Sequence, residues 1–521
     1  MVEIAVFAIA AALALRVLAT RAVRREATEH PFAAFALAAA LVGCVTALAW
    51  VAVVSPPLRH VAAAATFVLV FVAWWRSRVD YGSGVRQPAG SLGLRASLAA
   101  IDDRSFYRGE AARHGPVFKM SQFGRPVACV VGLERAHRIL VDHADALAPA
   151  VLPYNRLLSK GVLRYMTGAD HKAEAPAFRA AFAKMDLAGA EDTLRADLRR
   201  ELASLAEESS RTPGGCAARP AFERWVVAAI ARVFIGFAPD APRVDAFRRR
   251  VAQLVHQRRG GARWRATLQE GLAGVTTLLR DADREHRAGS ASIAGGTALA
   301  LLVASDPDSL DRPARAENLA MIARVASSDL TGLMDWIAWF LAGAPAWRDA
   351  VCAHGRTAGV TGGSLPLDPA TAIVMETLRL EQSEHLYRRT VKPFEVDGRV
   401  IPAGWILRIC VNESHRDPSI FPDPHRFDPS RFVDRTYTRR EYSPFGGHTH
   451  GCMGGHLAIF LGRLLVEELA LGYDVDVVRD GPFERANRHR DHWHPSSARR
   501  VVLRPRLAST PVRETPAVTV P

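Results

Sequence analysis

Phe445-Gly446-Gly447-His448-Thr449-His450-Gly451-Cys452-Met453-Gly454 places one cysteine between glycines and an apolar stretch. Downstream, Leu457, Ala458, Leu461, Leu464 and Leu465 recur at helical spacing, so Cys452 is expected just before a helix N-terminus, whose dipole favours a thiolate. Glycines permit the sharp turn such a ligand needs, and Phe445 is the side chain available to shield its sulfur. These are the surroundings required of a thiolate that binds iron from one axial side.

The run resembles the cysteine loop of the cytochrome P-450 (haem-thiolate) family, Phe-x-x-Gly-x-(Arg/His)-x-Cys-x-Gly. Phe445, His450, Cys452 and Gly454 match it, while His448 stands where the family normally has glycine. Further matches appear in order upstream. Glu376-Thr377-Leu378-Arg379 is similar to the family's helical Glu-x-x-Arg pair, with acid and base on one helix face. Phe427-Asp428-Pro429-Ser430-Arg431-Phe432 supplies Arg431 as their third partner, and between them lie Gly398 to Gly404 and His415-Arg416-Asp417-Pro418. Alone, a helical Glu/Arg pair is usually a solvated surface pair of little energetic worth. In this order the resemblance implies a structural triad of Glu376, Arg379 and Arg431 that locks the fold around the cofactor.

What the resemblance implies goes further. The fold is expected to be mainly α with small β-sheets, a P-450 fold preceded by an N-terminal helical membrane anchor. The cofactor is haem b, with Cys452 as the axial ligand to iron. Arg388, His450 and His171 match positions that pair with haem propionates, and Phe445, Gly446 and Gly454 belong to the cofactor loop. In the helix that should cross the distal face, Trp339-Phe340-Leu341 and Pro345 resemble the helix end and following turn, which puts the oxygen-activation segment at residues 325–330. The family usually has an acid and then a threonine where Ser328 and Asp329 stand. The order here is alcohol, then acid.

Two expectations follow for Ser328 and Asp329. Either they still deliver protons in a monooxygenase, or the site serves haem chemistry of another kind: peroxide-dependent oxidation, rearrangement, dehydration or N–O activation. A non-catalytic haem sensor and a degenerate scaffold are the remaining classes. The scaffold is disfavoured because Glu376, Arg379 and Arg431 are all retained. A tetrahedral zinc site can be drawn through His448, His450, Cys452 and His456, but these crowd one glycine turn instead of two separate knuckles. His489, His492 and His494 with Trp493 form a second cluster that none of these readings uses.

The chain has 521 residues, more than the single catalytic domain implied, and its N-terminal part is strongly apolar. Residues 4–19, 32–54 and 58–75 form three apolar stretches, with Trp50, Trp74 and Trp75 at stretch ends. The first lacks the leading positive charge of a cleaved signal peptide, which favours a retained anchor over 1–78. The alternative is a buried helical hairpin of a soluble domain. Arg21, Arg24 and Arg25 in the first loop put that loop and the catalytic domain on the cytoplasmic side, and the Ala- and Arg-rich usage points to a bacterial inner membrane. A Gly/Pro/Ser-rich hinge is expected over 79–97, the catalytic domain over 98–507 and a disordered tail over 508–521.

Six scattered cysteines show no paired framework, as in a reducing compartment. The net charge of +14 comes without basic clusters interleaved with aromatics, so nucleic acid is not an expected partner. Anionic lipid or an acidic electron donor suits it better. With no flavin or iron–sulfur motif in the chain, electrons are expected from a ferredoxin with its reductase or from a flavoprotein reductase, and the substrate is expected to be a lipophilic small molecule.

Overall fold

In the computed structural model of the chain, the described residues are 86–92, 103–122, 125–150, 155, 157–238, 241–255, 264–288, 295–357, 367–381, 386–447, 450–477, 483–487, 490–495 and 500–506, with isolated positions between 55 and 100. The first two apolar stretches, His448 and the tail lie outside them. Among the described residues no helix is long and apolar enough to cross a membrane.

Residues 1–148 and 387–410 form one compact unit, and residues 149–386 and 411–521 a second. The first is built on β1 (Ala89–Ser91), α1 (Phe106–His114), β2 (Val117–Gln122), β3 (Arg125–Val130), α2 (Leu133–Asp142), β4 (Leu147–Pro149), β5 (Leu386–Thr390), β6 (Phe394–Val396), β7 (Arg399–Ile401) and β8 (Ile406–Ile409). Its main sheet runs β1-β2-β3-β8-β5-β4. β1, part of the segment expected as a hinge, pairs in parallel with β2. The β6–β7 hairpin closes through Asp397 (φ 49°) and Gly398 (φ 70°), the Asp-Gly chemistry that two-residue turns with positive φ favour. Phe118, Met120, Val127 and Cys129 are fully buried on this sheet.

The second unit is mostly helical. It contains α3 (Gly168–Ala183), α4 (Glu191–Arg211), α5 (Arg219–Ile230), α6 (Pro242–Val255), α7 (Trp264–Arg287), α8 (Ala298–Ser305), α9 (Pro313–Ala342), α10 (Pro345–Thr357), α11 (Pro369–Leu380) and α12 (Gly455–Gly472). Its strands include β9 (Tyr473–Val477), β10 (Phe483–Asn487), β11 (Arg490–Pro495) and β12 (Arg500–Pro505). Two helix starts show why the chain enters helices where it does. Pro313 opens α9 at a position where a missing N–H costs nothing, and the Asp368 side chain accepts from Thr371 N at 2.9 Å to cap α11.

α9, α11 and α12 pack at close range around one glycine. A Cβ built on Gly462 would lie 2.9 Å from Val374 and 3.2 Å from Ile337. Only hydrogen allows α12 to approach both neighbours that closely. Leu457, Leu461, Leu464, Leu465 and Leu469 fill the same core and leave no more than about 1% of their surface exposed.

Candidate active site

Cys452 sits three residues ahead of α12 and is exposed. Its amide donates to Phe445 O at 3.0 Å, closing the loop on itself. Gly446 adopts φ 67°, a conformation costly for any residue with a Cβ, and its carbonyl accepts from Ser443 Oγ at 2.9 Å. Phe445 is wedged against the helix start: a Cβ on Gly455 would be 3.1 Å from its ring. Local sequence therefore sets the loop geometry, since two glycines admit the turn and one aromatic ring fills it.

His450 and His171 come together here. Their ring centroids are 4.6 Å apart, with His171 projecting from α3. Burial, and then the charge of Arg179, holds the His171 imidazolium below its ordinary pKa, so that this imidazole is neutral at pH 7. His456, on the first turn of α12, is likewise lowered by burial, against a hydrogen bond with the Phe182 backbone. Arg388 lies on β5 in the first unit and donates to its neighbour Tyr387 O at 2.9 Å.

Behind the loop, Glu376 and Arg379 are fully buried on α11. Arg379 donates Nε to Glu376 Oε2 at 2.6 Å and Nη2 to Oε1 at 2.7 Å. Its remaining donors reach the carbonyls of His415 and Pro424, both at 2.8 Å, and of Arg426 at 3.2 Å. Glu376 also accepts from Asp428 N at 2.9 Å and has Arg431 Nε at 3.6 Å. Burial pushes its carboxyl above the ordinary range while Arg379 opposes that shift. Phe421 lies under the Arg379 guanidinium at 5.1 Å.

One buried side-chain pair thus ties down four separate backbone points between 415 and 428. The same stretch reaches the cysteine loop, because Ser443 N donates to His415 Nε2 at 2.9 Å. Tyr442 OH donates to Met375 O at 2.8 Å from the α11 side.

On α9, Ser327 is buried, and Ser328 and Asp329 are half-buried in mid-helix. Thr331 is buried and donates Oγ1 to Ser327 O at 2.8 Å, a third alcohol on this helix and one that the sequence reading did not single out. It also missed Asp335, one turn further on. Its Oδ2 accepts from Arg219 Nη1 on α5 at 2.7 Å. Burial raises its carboxyl to about 7 despite Arg219, and Glu223 adds to the rise. Arg219 and Asp335 lie 116 residues apart, so no local spacing announces the pair.

Residues 367–490 match the Cytochrome P450 family model, which takes in α11, the triad and the cysteine loop. The retinoic acid-bound cyanobacterial CYP120A1 superposes with a TM-score of 0.65 at 20% identity, covering 81% of this chain and all of that one. The chain has the cytochrome P450 fold. Abscisic acid 8'-hydroxylase 2 of Arabidopsis thaliana is 25% identical over 456 residues, spanning 79% of this chain and 89% of that protein. Human Cytochrome P450 26C1 is also 25% identical, over 450 residues that cover 76% of this chain and 84% of its own. The protein is an oxidoreductase of the monooxygenase type, and haem b is its cofactor.

The residues present suit that group. Cys452 offers an exposed thiol beside a helix N-terminus, His171 and His450 offer imidazole N–H donors for carboxylates close to the same loop, and α9 presents an unbroken, mostly apolar helix. This donor set, one soft thiolate with imidazoles nearby, matches an iron porphyrin with acidic side groups better than a closed zinc site.

Proposed function

We propose that this P450 inserts one oxygen atom from O2 into a lipophilic small molecule, using electrons from separate redox proteins. The observation that carries the reading is the Cys452 loop at the start of α12, with its hydrogen-bonded Phe445 turn and the Glu376–Arg379 lock beside it. The hydroxylase names of the relatives support the same reaction type. When bound, haem supplies the activation of dioxygen.

The protein's own residues have distinct tasks in this proposal. Cys452 ligates the iron, and the turn fixed by Gly446 and Phe445 sets where its sulfur stands. His171, His450 and Arg388 hold the propionates. Asp329 and Ser328 pass protons to the oxygen-binding side, with the carboxylate as donor. The redox partner is a ferredoxin with its reductase or a flavoprotein reductase. Residues 1–78 anchor the chain in a membrane with the catalytic domain on the cytoplasmic side, and so bring it close to lipophilic substrate.

A second reading rests on one observation: the alcohol-then-acid order of Ser328 and Asp329 on α9. It assigns haem-thiolate chemistry that needs no dioxygen, such as peroxide-driven oxidation or rearrangement. Turnover supported by peroxide but not by O2 with a reductase separates the two.

The test is the reduced, CO-bound difference spectrum of the solubilised protein and of Cys452→Ala. A Soret band at the long-wavelength position of thiolate-ligated haem, lost in the variant, is expected. A histidine-type band in the wild type, or a band unchanged in Cys452→Ala, overturns the assignment of Cys452.

A further inference from the structure

His415 opens the run His415-Arg416-Asp417-Pro418, and the triad reading gives its side chain no task. The residue is fully buried and is bonded through both backbone and ring. Its carbonyl accepts from Arg379 Nη1 at 2.8 Å, and its Nε2 accepts from Ser443 N at 2.9 Å. A ring nitrogen that accepts carries no proton, so this hydrogen bond assigns the neutral tautomer with its hydrogen on Nδ1.

Beyond Ser443 the chain turns towards the cysteine. Ser443 O accepts from Gly446 N at 3.1 Å, Ser443 Oγ donates to Gly446 O at 2.9 Å, and Phe445 O accepts from Cys452 N at 3.0 Å. Pro444 brings no N–H of its own, which leaves the Ser443 amide as the backbone donor at the entry to the turn. Hydrogen bonds thus run in succession from Arg379 through His415 to the Cys452 amide. The imidazole itself is braced by Tyr442, whose ring centroid lies 5.0 Å away and whose OH donates to Met375 O on α11 at 2.8 Å.

We infer that His415 is a positioning residue for Cys452: its neutral imidazole fastens the entry of the cysteine loop to the Glu376–Arg379 lock. The inference rests on the reading of Cys452 as the iron ligand. A buried histidine that only filled space would need its ring alone, whereas this one also supplies the acceptor for Ser443 N. Without that acceptor the turn through Gly446 and Phe445 keeps its internal bonds but loses its tie to the lock, and the sulfur it carries is held less firmly.

The test uses the full-length, haem-loaded protein as wild type, as His415→Phe, which keeps an aromatic ring without the acceptor, and as His415→Gln, which keeps an acceptor at similar reach without the ring. In the reduced, CO-bound state the thiolate-type Soret band is expected to decay about tenfold faster in His415→Phe than in the wild type, the worth of one hydrogen bond, and at nearly the wild-type rate in His415→Gln. Equal decay in the wild type and His415→Phe, or equally fast decay in both variants, overturns the inference. A wild type without a thiolate-type band overturns the reading of Cys452 itself, and the task assigned to His415 falls with it. Should His415→Phe misfold, hydrogen exchange of the wild type decides: the Ser443 amide is expected to exchange at least about tenfold more slowly than in an unstructured peptide, and an unprotected amide refutes the tie.

Discussion

Glu376 accepts two hydrogen bonds from Arg379 and one from the Asp428 amide, with no solvent exposure. Removing one partner of such a pair leaves the other charge buried, a cost of about 3–5 kcal/mol. Glu376→Gln is therefore expected to lower unfolding free energy by about that amount and to weaken haem retention, as measured by urea titration and by Soret absorbance after gel filtration. Arg379→Lys should not rescue it, because an ammonium cannot reach the carboxylate bidentately while also meeting three carbonyls. Asp329 poses a different question, since it is half-buried in mid-helix and its proposed part is chemical. Asp329→Asn should cut turnover about 10²-fold, the usual contribution of a positioned proton donor, while leaving the CO-bound spectrum intact. Unchanged turnover removes Asp329 from the proton path.

At the scale of elements, α9 carries a titratable group that its own sequence does not explain. Asp335 titrates near 7 because α5 buries it and Glu223 stands nearby, although Arg219 donates to it at 2.7 Å. A carboxyl raised in the folded state binds more protons than in the unfolded chain between its two pKa values. Its stabilising contribution is then complete below about 4 and lost as pH rises through about 7. The stability of the wild type relative to Asp335→Asn should accordingly fall across that window, as thermal melting of both proteins at pH 4.5, 6 and 8 will show. A flat difference means that Asp335 stays ionised throughout. α12 is fastened by charges of another kind: Glu468 accepts from Arg199 at 2.7 Å and Arg195 at 3.1 Å, both on α4. These pairs fix the helix that begins at the cysteine loop without using any residue of that loop.

For the whole molecule, the net charge of +14 is spread over many arginines, among them Arg195, Arg243 and Arg463 in ion pairs between helices. If the excess steers an acidic donor protein, reduction by an acidic ferredoxin should slow as ionic strength rises from 0.05 to 0.5 M, because the Debye length shortens from over 10 Å to a few ångströms. A salt-independent stopped-flow rate excludes steering by net charge.

The sequence by itself determined the parts of this protein whose causes are local. The cysteine loop was legible because glycines, an aromatic and a helix-period leucine pattern sit within 25 residues of one another. Glu376 and Arg379 were legible as a pair because three residues on a helix return to one face. Their complete burial and the carbonyls of His415, Pro424 and Arg426 around the guanidinium were decided by tertiary packing. The same holds for the His171–His450 approach, the Asp335–Arg219 pair and the register of β10 against β11. Spacing along a chain dictates which neighbours share a face, whereas burial and long-range partners depend on how elements pack, and that packing set both the charge state of Asp335 and the close approach permitted by Gly462.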